Sequence, residues 1–224
     1  MSSSFDAVLK VGGSLSRGES LMSLCQAIGE LGARYRLLVV PGGGEYADLA
    51  RAHYRTYKLG ETTAHRMAIL AMDQYGCLLG DLLPGSSLVT DLPTAREQAS
   101  RGGVPVLLPA ALFNQVDPLP HSWQVTSDSI AAWVAGTLGA PRLILLKDVD
   151  GLHAARSTPG EPPALIEEMT TEALADHRGG VDEYLATVLA KWSIETWVIN
   201  GGQPQRLAEL LATGRTLGTH ITRG

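Results

Sequence analysis

Residues 8–15 have the sequence Val-Leu-Lys-Val-Gly-Gly-Ser-Leu, in which a short apolar run carries one lysine and ends at two glycines. Such a run, Ala7–Val11 with its flanks, is typical of a β-strand that is buried on both faces. A helical apolar pattern follows over 21–31, and a second apolar run over 36–40 ends at Pro41 and the glycines 42–44. The succession of strand, glycine loop and helix predicts an α/β domain with a parallel sheet.

The rest of the chain repeats this alternation. Further apolar runs predict strands at 87–89, 104–108, 142–146 and 196–199. Helical patterns predict helices from 45 onwards and at 62–83, 93–101, 128–138, 182–192 and 204–211. We therefore expect a three-layer αβα sandwich with a mainly parallel sheet, formed as one domain over 1–224. The Pro- and Gly-containing stretch 151–163 is expected to be a loop on that scaffold.

Composition excludes several classes of protein. The 224 residues are 45% apolar and 18% charged, with a net charge of −5, which is typical of a globular protein with a sizeable core. No block of Lys or Arg recommends a nucleic-acid or membrane partner. The first residues lack the features of a signal peptide, and the longest apolar stretch, 102–116, is interrupted by Pro105 and Pro109. With only two cysteines, the chain is expected to be cytoplasmic.

Glycines and charged residues follow the predicted strands at one edge of the sheet. Consecutive glycines at a helix N-terminus can direct backbone N–H groups at an anion, so the loops at 12–14 and 42–44 predict a phosphate site. Two of the four lysines, Lys10 and Lys147, lie at strand ends, where an ammonium group can stabilise a phosphoryl group in transfer. The alternatives are that the glycines only make tight turns and that the lysines are solvated.

Asp148 and Asp150 follow Lys147 and could either hold a metal ion or pair with the lysines. They do not form a calcium loop, because position six would be His153 and position twelve Pro159. We assign no metal-binding residue from the sequence. The chain also lacks GxxxxGK[ST], GxGxxG after the first strand, and GxSxG, which argues against a P-loop enzyme, a classical dinucleotide site and a serine hydrolase.

Four segments together resemble the amino acid kinase family: 8–15, 40–44, 126–132 and 145–151. The resemblance implies a roughly eight-stranded, mainly parallel sheet and a kinase that uses ATP with Mg²⁺. It also implies a small anionic acceptor, a carboxylate, carbamate or phosphate, and assembly as a homo-oligomer.

The resemblance assigns roles by position. It implies that Lys10, Lys147 and Asp148 are catalytic, with Asp148 orienting the lysine. It implies a nucleotide site formed by Gly12, Gly13, Ser14, Asp150 and Gly151. It implies an acceptor site that includes Gly42, Gly43, Gly44, Ser127 and Asp128.

The chain departs from the family at one position. Many members carry a second catalytic lysine after a Gly-Gly-Met sequence, whereas the matching stretch 179–184 is Gly-Gly-Val-Asp-Glu-Tyr and no lysine follows until Lys191. Lys147, an arginine, or Lys10 with the metal ion could take over that duty, and we favour Lys147. The departure also leaves open a non-catalytic protein that binds nucleotides or oxyanions.

Residues 64–76 are similar to a stretch in one subgroup of the family, the kinases of methanofuran biosynthesis, which phosphorylate aminomethylfuranylmethyl phosphate. This similarity implies that Asp73 meets the substrate amine and that Arg66 or His65 meets its phosphate. The alternative is an amphipathic core helix that contacts no ligand. Another kinase of the family, acting on isopentenyl phosphate, a nucleoside monophosphate or an amino acid carboxylate, is the alternative function.

Overall fold

The computed structural model describes residues 5–18, 20–155, 163–192 and 194–224. Its strands are β1 (Ala7–Val11), β2 (Leu37–Pro41), β3 (Ser86–Val89), β4 (Val104–Leu107), β5 (Arg142–Lys147), β6 (Leu152–His153), β7 (Leu165–Ile166), β8 (Glu168–Thr170), β9 (Glu195–Asn200) and β10 (Thr219–Thr222). Its α-helices are α1 (Ser20–Gly32), α2 (Gly44–Tyr57), α3 (Glu61–Leu82), α4 (Leu92–Ser100), α5 (Pro109–Val116), α6 (Ser127–Leu138), α7 (Thr171–Asp176), α8 (Leu185–Leu189) and α9 (Pro204–Thr213). A 3₁₀ helix covers Gly13–Arg17.

Eight strands form the main sheet, in the order β3-β4-β2-β1-β5-β9-β10-β8. All neighbours pair in parallel except β10, which is antiparallel to β9. The central strand β1 lies between β2 and β5, so that Lys10 is opposite Val40 on one side and Leu145 on the other. The chain passes from β1 to β2 on one side and from β5 towards β9 on the other, so a crevice forms at the carboxyl ends of the neighbouring strands β1 and β5. The expected mainly parallel, eight-stranded sheet is confirmed.

Helices cover both faces of the sheet and bury alternate residues of each strand. In β1, Val8 packs into one core layer, whereas Ala7, Leu9 and Val11 pack into the other. Helices α4, α5, α6 and α8 complete the first layer, and α1 and α9 complete the second. Burial on both faces explains why the central strands are almost continuously apolar.

Several elements differ from the sequence prediction. The helix expected over 182–192 is confined to Leu185–Leu189, because the residues before it run as a loop that packs on the start of α6. Helix α5 was not among the predicted helices. It begins at Pro109, where a proline fits because the first N–H of a helix needs no partner within the helix. Strand β6 lies inside the expected loop 151–163, of which 156–162 is outside the described residues. The short elements β7, β8, α7 and β10 were not predicted.

No helix in the described ranges combines the length and apolar character that crossing a membrane requires.

Candidate active site

The two glycine loops pack directly against each other at the carboxyl ends of β1 and β2. A Cβ atom on Gly13 would lie 2.1 Å from the backbone nitrogen of Gly44, and one on Gly42 would lie 2.6 Å from the nitrogen of Gly13. No side chain fits at either position, so both loops require glycine for close approach. Tyr75 of α3 supports the contact from below, donating a 3.4 Å hydrogen bond to the Gly12 carbonyl.

Two lysines share one buried carboxylate beside these loops. Lys10 Nζ, on β1, lies 2.9 Å from Asp128 Oδ1, and Lys147 Nζ, on β5, donates a 2.8 Å hydrogen bond to Asp128 Oδ2. Burial opposes the charged carboxylate, but the two ammonium groups outweigh it and hold the pKa of Asp128 well below its usual range. Burial lowers the pKa of Lys10, Asp128 opposes that change, and the charge of Lys147 adds to it. The pair presents two cations in a setting with little water to screen them.

Asp182 fixes the helix that carries Asp128. Its carboxylate accepts four hydrogen bonds of 2.5–2.9 Å, from the backbone N–H and the hydroxyl of both Thr126 and Ser129. These donors belong to the first turn of α6, so Asp182 caps that helix from a distant part of the chain. Its own N–H lies 3.3 Å from Asp128 Oδ2. Burial and the nearby Asp128 raise the pKa of Asp182.

The lysines form the floor of a cleft of about 410 Å³. Its walls come from the glycine loops, α2, α3 and the start of α6. Ten residues predicted from the sequence line it: Lys10, Gly12, Gly13, Ser14, Gly43, Gly44, His65, Ser127, Lys147 and Asp148. The structure therefore brings together residues that are up to 138 positions apart in the chain, from Lys10 to Asp148.

Three predicted roles on the cleft floor need correction. The N–H of Gly12 cannot cradle a phosphate, because it donates a 2.8 Å hydrogen bond to the Leu146 carbonyl. Gly42 is buried against Gly13 and does not line the cleft. Asp128 lies behind the lysines, 2% exposed, and contacts them instead of an acceptor.

Arg66 and Asp73, which were predicted to contact the acceptor, do not line this cleft. Helix α3 faces the cleft with His65, Ala68, Ile69 and Met72. At 3.6 residues per turn, Arg66 and Asp73 do share a face, but that face lies about 90° around the helix from the cleft. Arg66 is exposed, and the carboxylate of Asp73 accepts a 3.0 Å hydrogen bond from the N–H of Ala110, in the first turn of α5.

The acidic loop after β5 also differs from its prediction. Asp148 is exposed on the cleft wall, and the carboxylate that orients the lysines is that of Asp128. Asp150 accepts hydrogen bonds from Asn200 (2.8 Å) and Arg206 (2.7 Å), and these hold its pKa below the usual value. A Cβ atom on Gly151 would lie 2.6 Å from Thr219 Oγ1, so this glycine permits close packing. Asp150 and Gly151 do not line the cleft.

The cleft residues that sequence analysis missed include Arg17, Asp48, Arg51 and Trp123. Arg17 and Arg51 line the wall next to α2, and each pairs with Asp48, at 3.1 and 3.0 Å. The Arg51 guanidinium lies over the indole of Trp123, 4.7 Å from the ring centroid. Arg17, Arg51 and Trp123 lie far apart in the sequence, so no local pattern groups them. Asp48 and Arg51 are close together in α2, and their spacing could have placed these two on one face of the helix.

Comparison with known proteins settles the family. The sequence profile of the amino acid kinase family matches residues 7–200. The chain belongs to the amino acid kinase family. Over 217 residues it is 24% identical to the [5-(aminomethyl)furan-3-yl]methyl phosphate kinase of Methanocaldococcus jannaschii, covering 96% of both chains. It is 26% identical to the uridylate kinase of Methanospirillum hungatei, covering 96% of this chain and 94% of that one.

Solved structures agree on the fold of this amino acid kinase family member. The uridylate kinase of Archaeoglobus fulgidus superimposes with a TM-score of 0.78 at 23% identity, covering 97% of this chain and 100% of that one. The chain is thus a kinase, a phosphotransferase whose glycine loops and lysines occupy one cleft. The stretch 179–184 contains Asp182 and no lysine, and Lys147 lies beside Lys10 on the Asp128 carboxylate.

Proposed function

We propose that the protein transfers the γ-phosphoryl group of ATP to a small acceptor that already carries a phosphate. The first candidate is [5-(aminomethyl)furan-3-yl]methyl phosphate, which would become the diphosphate. The observation that carries the proposal is the arrangement of Lys10 and Lys147 around Asp128, on the floor of a cleft walled by two glycine loops. Similarity over nearly the whole length to the Methanocaldococcus jannaschii kinase supports this acceptor.

The chemistry suits these residues because an acceptor phosphate is already nucleophilic and needs no strong general base. The barrier arises from bringing two anions together and from charge on the transferring phosphoryl group. Lys10 and Lys147, held by Asp128, supply fixed positive charge where it is weakly screened. A well-placed donor or cation of this kind contributes on the order of 3 kcal/mol to lowering such a barrier.

The wall of the cleft next to α2 and α3 suits the proposed acceptor. Ile69, Met72 and Trp123 provide apolar surface for a flat ring, and Arg17 and Arg51 provide charge for its phosphate. The indole N–H of Trp123 is buried and has no hydrogen-bond partner in the described ranges. This set replaces Arg66 and Asp73, which lie on another face of α3.

The donor set also fits Mg²⁺ bound together with nucleotide phosphates. Mg²⁺ usually takes one or two protein carboxylates and completes its shell with phosphate and water oxygens. Asp148 offers an exposed carboxylate on the cleft wall near Lys147. When bound, the ion would neutralise charge on the ATP phosphates. A second, smaller groove shares Ser14, Arg17 and Asp148 with the cleft and extends to Asn200, and we assign the nucleotide to it.

The test measures ADP release with a panel of acceptors. The panel contains [5-(aminomethyl)furan-3-yl]methyl phosphate, UMP, isopentenyl phosphate and N-acetylglutamate. We expect the furan phosphate to give the highest kcat/KM, and Lys10→Ala to lower its turnover about a hundredfold with the fold intact. A higher kcat/KM for another acceptor would transfer the assignment to that kinase. The absence of ADP release with every acceptor would favour the non-catalytic alternative.

Homo-oligomeric assembly, one domain over 1–224 and a cytoplasmic location remain predictions. Light scattering on the purified chain would test the assembly, and fractionation of the producing cells would test the location.

A further inference from the structure

Three side chains that can bind a metal ion lie together at the edge of the cleft, and the proposed transfer assigns no role to them. His65 comes from α3, Asp117 follows the last residue of α5, and His121 comes from the loop after it. One ligand atom from each residue lies within 4.8 Å of the other two. Two imidazoles and a carboxylate are ligands that zinc prefers, whereas Mg²⁺ prefers oxygen ligands alone.

The hydrogen bonds of His121 match those of a metal-binding histidine. Its Nδ1 lies 2.9 Å from the hydroxyl of Thr62, and its Nε2 lies 2.7 Å from Asp117 Oδ1. Metal-bound histidines almost always donate the other ring N–H to an oxygen, which fixes the tautomer. A hydroxyl can donate or accept. Thr62 can therefore accept from Nδ1–H when Nε2 binds a metal ion, and donate to Nδ1 when Nε2–H faces Asp117.

His65 supplies the link to the cleft. Its ring stacks on that of His121 with centroids 4.5 Å apart, and it is buried on the cleft wall.

We propose that His65, Asp117 and His121 bind a divalent transition-metal ion of the zinc class. Ligand atoms around a tetrahedral zinc ion lie about 3.4 Å apart. The 2.7 Å contact between His121 Nε2 and Asp117 Oδ1 must therefore open slightly, and the other ligand atoms, all within 4.8 Å of one another, must adjust around the ion. Asp117 is exposed and His121 is only partly buried, which leaves both side chains room to move. Three protein ligands leave a fourth position for water or for a substrate oxygen.

Binding at this site would tie the segment after α5 to α3. That segment carries Trp123, Val125 and Thr126, which form one wall of the cleft. Since the ion would join two walls of the same cleft, its occupancy should stabilise the cleft as well as the fold. This site is separate from the carboxylate assigned to Mg²⁺, and it depends on neither ATP nor the identity of the acceptor.

The test uses the full, tag-free chain after chelation and dialysis, titrated with Zn²⁺ by calorimetry and with Co²⁺ by visible absorption. We expect one ion per chain and the intense visible bands of four-coordinate Co²⁺, with no competition from millimolar Mg²⁺. His121→Asn and Asp117→Asn should each weaken Zn²⁺ binding at least about tenfold, and Thr62→Val should weaken it about tenfold. Asp117 has a φ of +37°, which asparagine tolerates. The Asp117→Asn variant should therefore fold even if His121→Asn does not.

His53→Asn is the matched control, because His53 stacks on Tyr57 of α2 and lies outside the cluster. It should bind Zn²⁺ like the wild type. Failure of the wild type to bind one equivalent of either ion would overturn the proposal. The proposal would also be overturned if His121→Asn and Asp117→Asn bound Zn²⁺ as tightly as the wild type, or if His53→Asn weakened Zn²⁺ binding as much as they do. These readouts involve no turnover, so the phosphotransferase proposal can fail without affecting them.

Discussion

Replacing Lys147 by methionine tests whether this lysine has taken over the duty of the late lysine found in many family members. Lys147 Nζ lies 2.8 Å from Asp128 Oδ2, and its side chain is 14% exposed, so its charge is weakly screened. Methionine keeps much of the length and removes the charge. We expect turnover to fall about a hundredfold, which corresponds to about 2.7 kcal/mol in the barrier.

The same change should alter the pH profile. Lys147 is one of the charges that lower the pKa of Lys10, after burial, so its removal should raise that pKa. If Lys10 must be protonated for transfer, activity is lost as pH rises through its pKa. The alkaline limb of kcat in Lys147→Met should therefore lie at higher pH than in the wild type.

The assay measures ADP release at saturating ATP across pH, with circular dichroism to verify the fold. Lys191→Met is the matched control, because Lys191 is exposed and lies outside the cleft. It should keep near wild-type turnover. A Lys147→Met enzyme that keeps more than a tenth of its turnover would refute the assigned role. Equal losses in the control would show that the effect is not specific to the cleft.

Other changes probe the framework of the site. Asp182→Asn should lower both the melting temperature and turnover, because loss of charge-assisted hydrogen bonds to α6 costs about 2 kcal/mol; unchanged melting and kinetics would contradict this. Gly13→Ala should destabilise the fold, because its Cβ would lie 2.1 Å from the nitrogen of Gly44, whereas Gly60→Ala, with open space around it, should be nearly neutral in thermal denaturation. Asp128 has a lowered pKa, so its stabilising contribution is present above the unfolded value near 3.8 and is lost as pH falls through the folded one. Acid denaturation of Asp128→Asn, compared with wild type, should show a weaker pH dependence below about pH 4, and an unchanged dependence would contradict it.

The central strands were predictable from sequence because they are buried on both faces. Ala7–Val11 was predicted with its exact limits, and the predicted strands in the centre of the sheet agree with β2, β5 and β9 to within one residue at each end. Strands β8 and β10, at the far edge, have three and four residues and carry exposed side chains, so they show no apolar run. The length of helix α8 was overestimated, because a helical pattern in the sequence does not reveal that Asp182 lies before this helix and caps α6 instead.

The cleft was predictable where local chemistry decides it. Lys10, Gly13 and Gly43 lie at ends of parallel strands, which must share one edge of the sheet. The residues on the acceptor side of the cleft could not be predicted in this way, because they depend on which face of α3 points into the cleft. The spacing of Arg66 and Asp73 placed them on one face but could not say which face meets the cleft.

By itself, the sequence determined the sheet, the glycine loops and the family, because buried strands and tight backbone contacts restrict the residue types allowed at each position. Only the tertiary structure decided that Asp128 joins the two lysines, that Asp182 holds its helix in place and that Asp73 caps α5. The reason is that a carboxylate takes its role from the donors around it. Those donors come from distant segments that only the packed chain brings together.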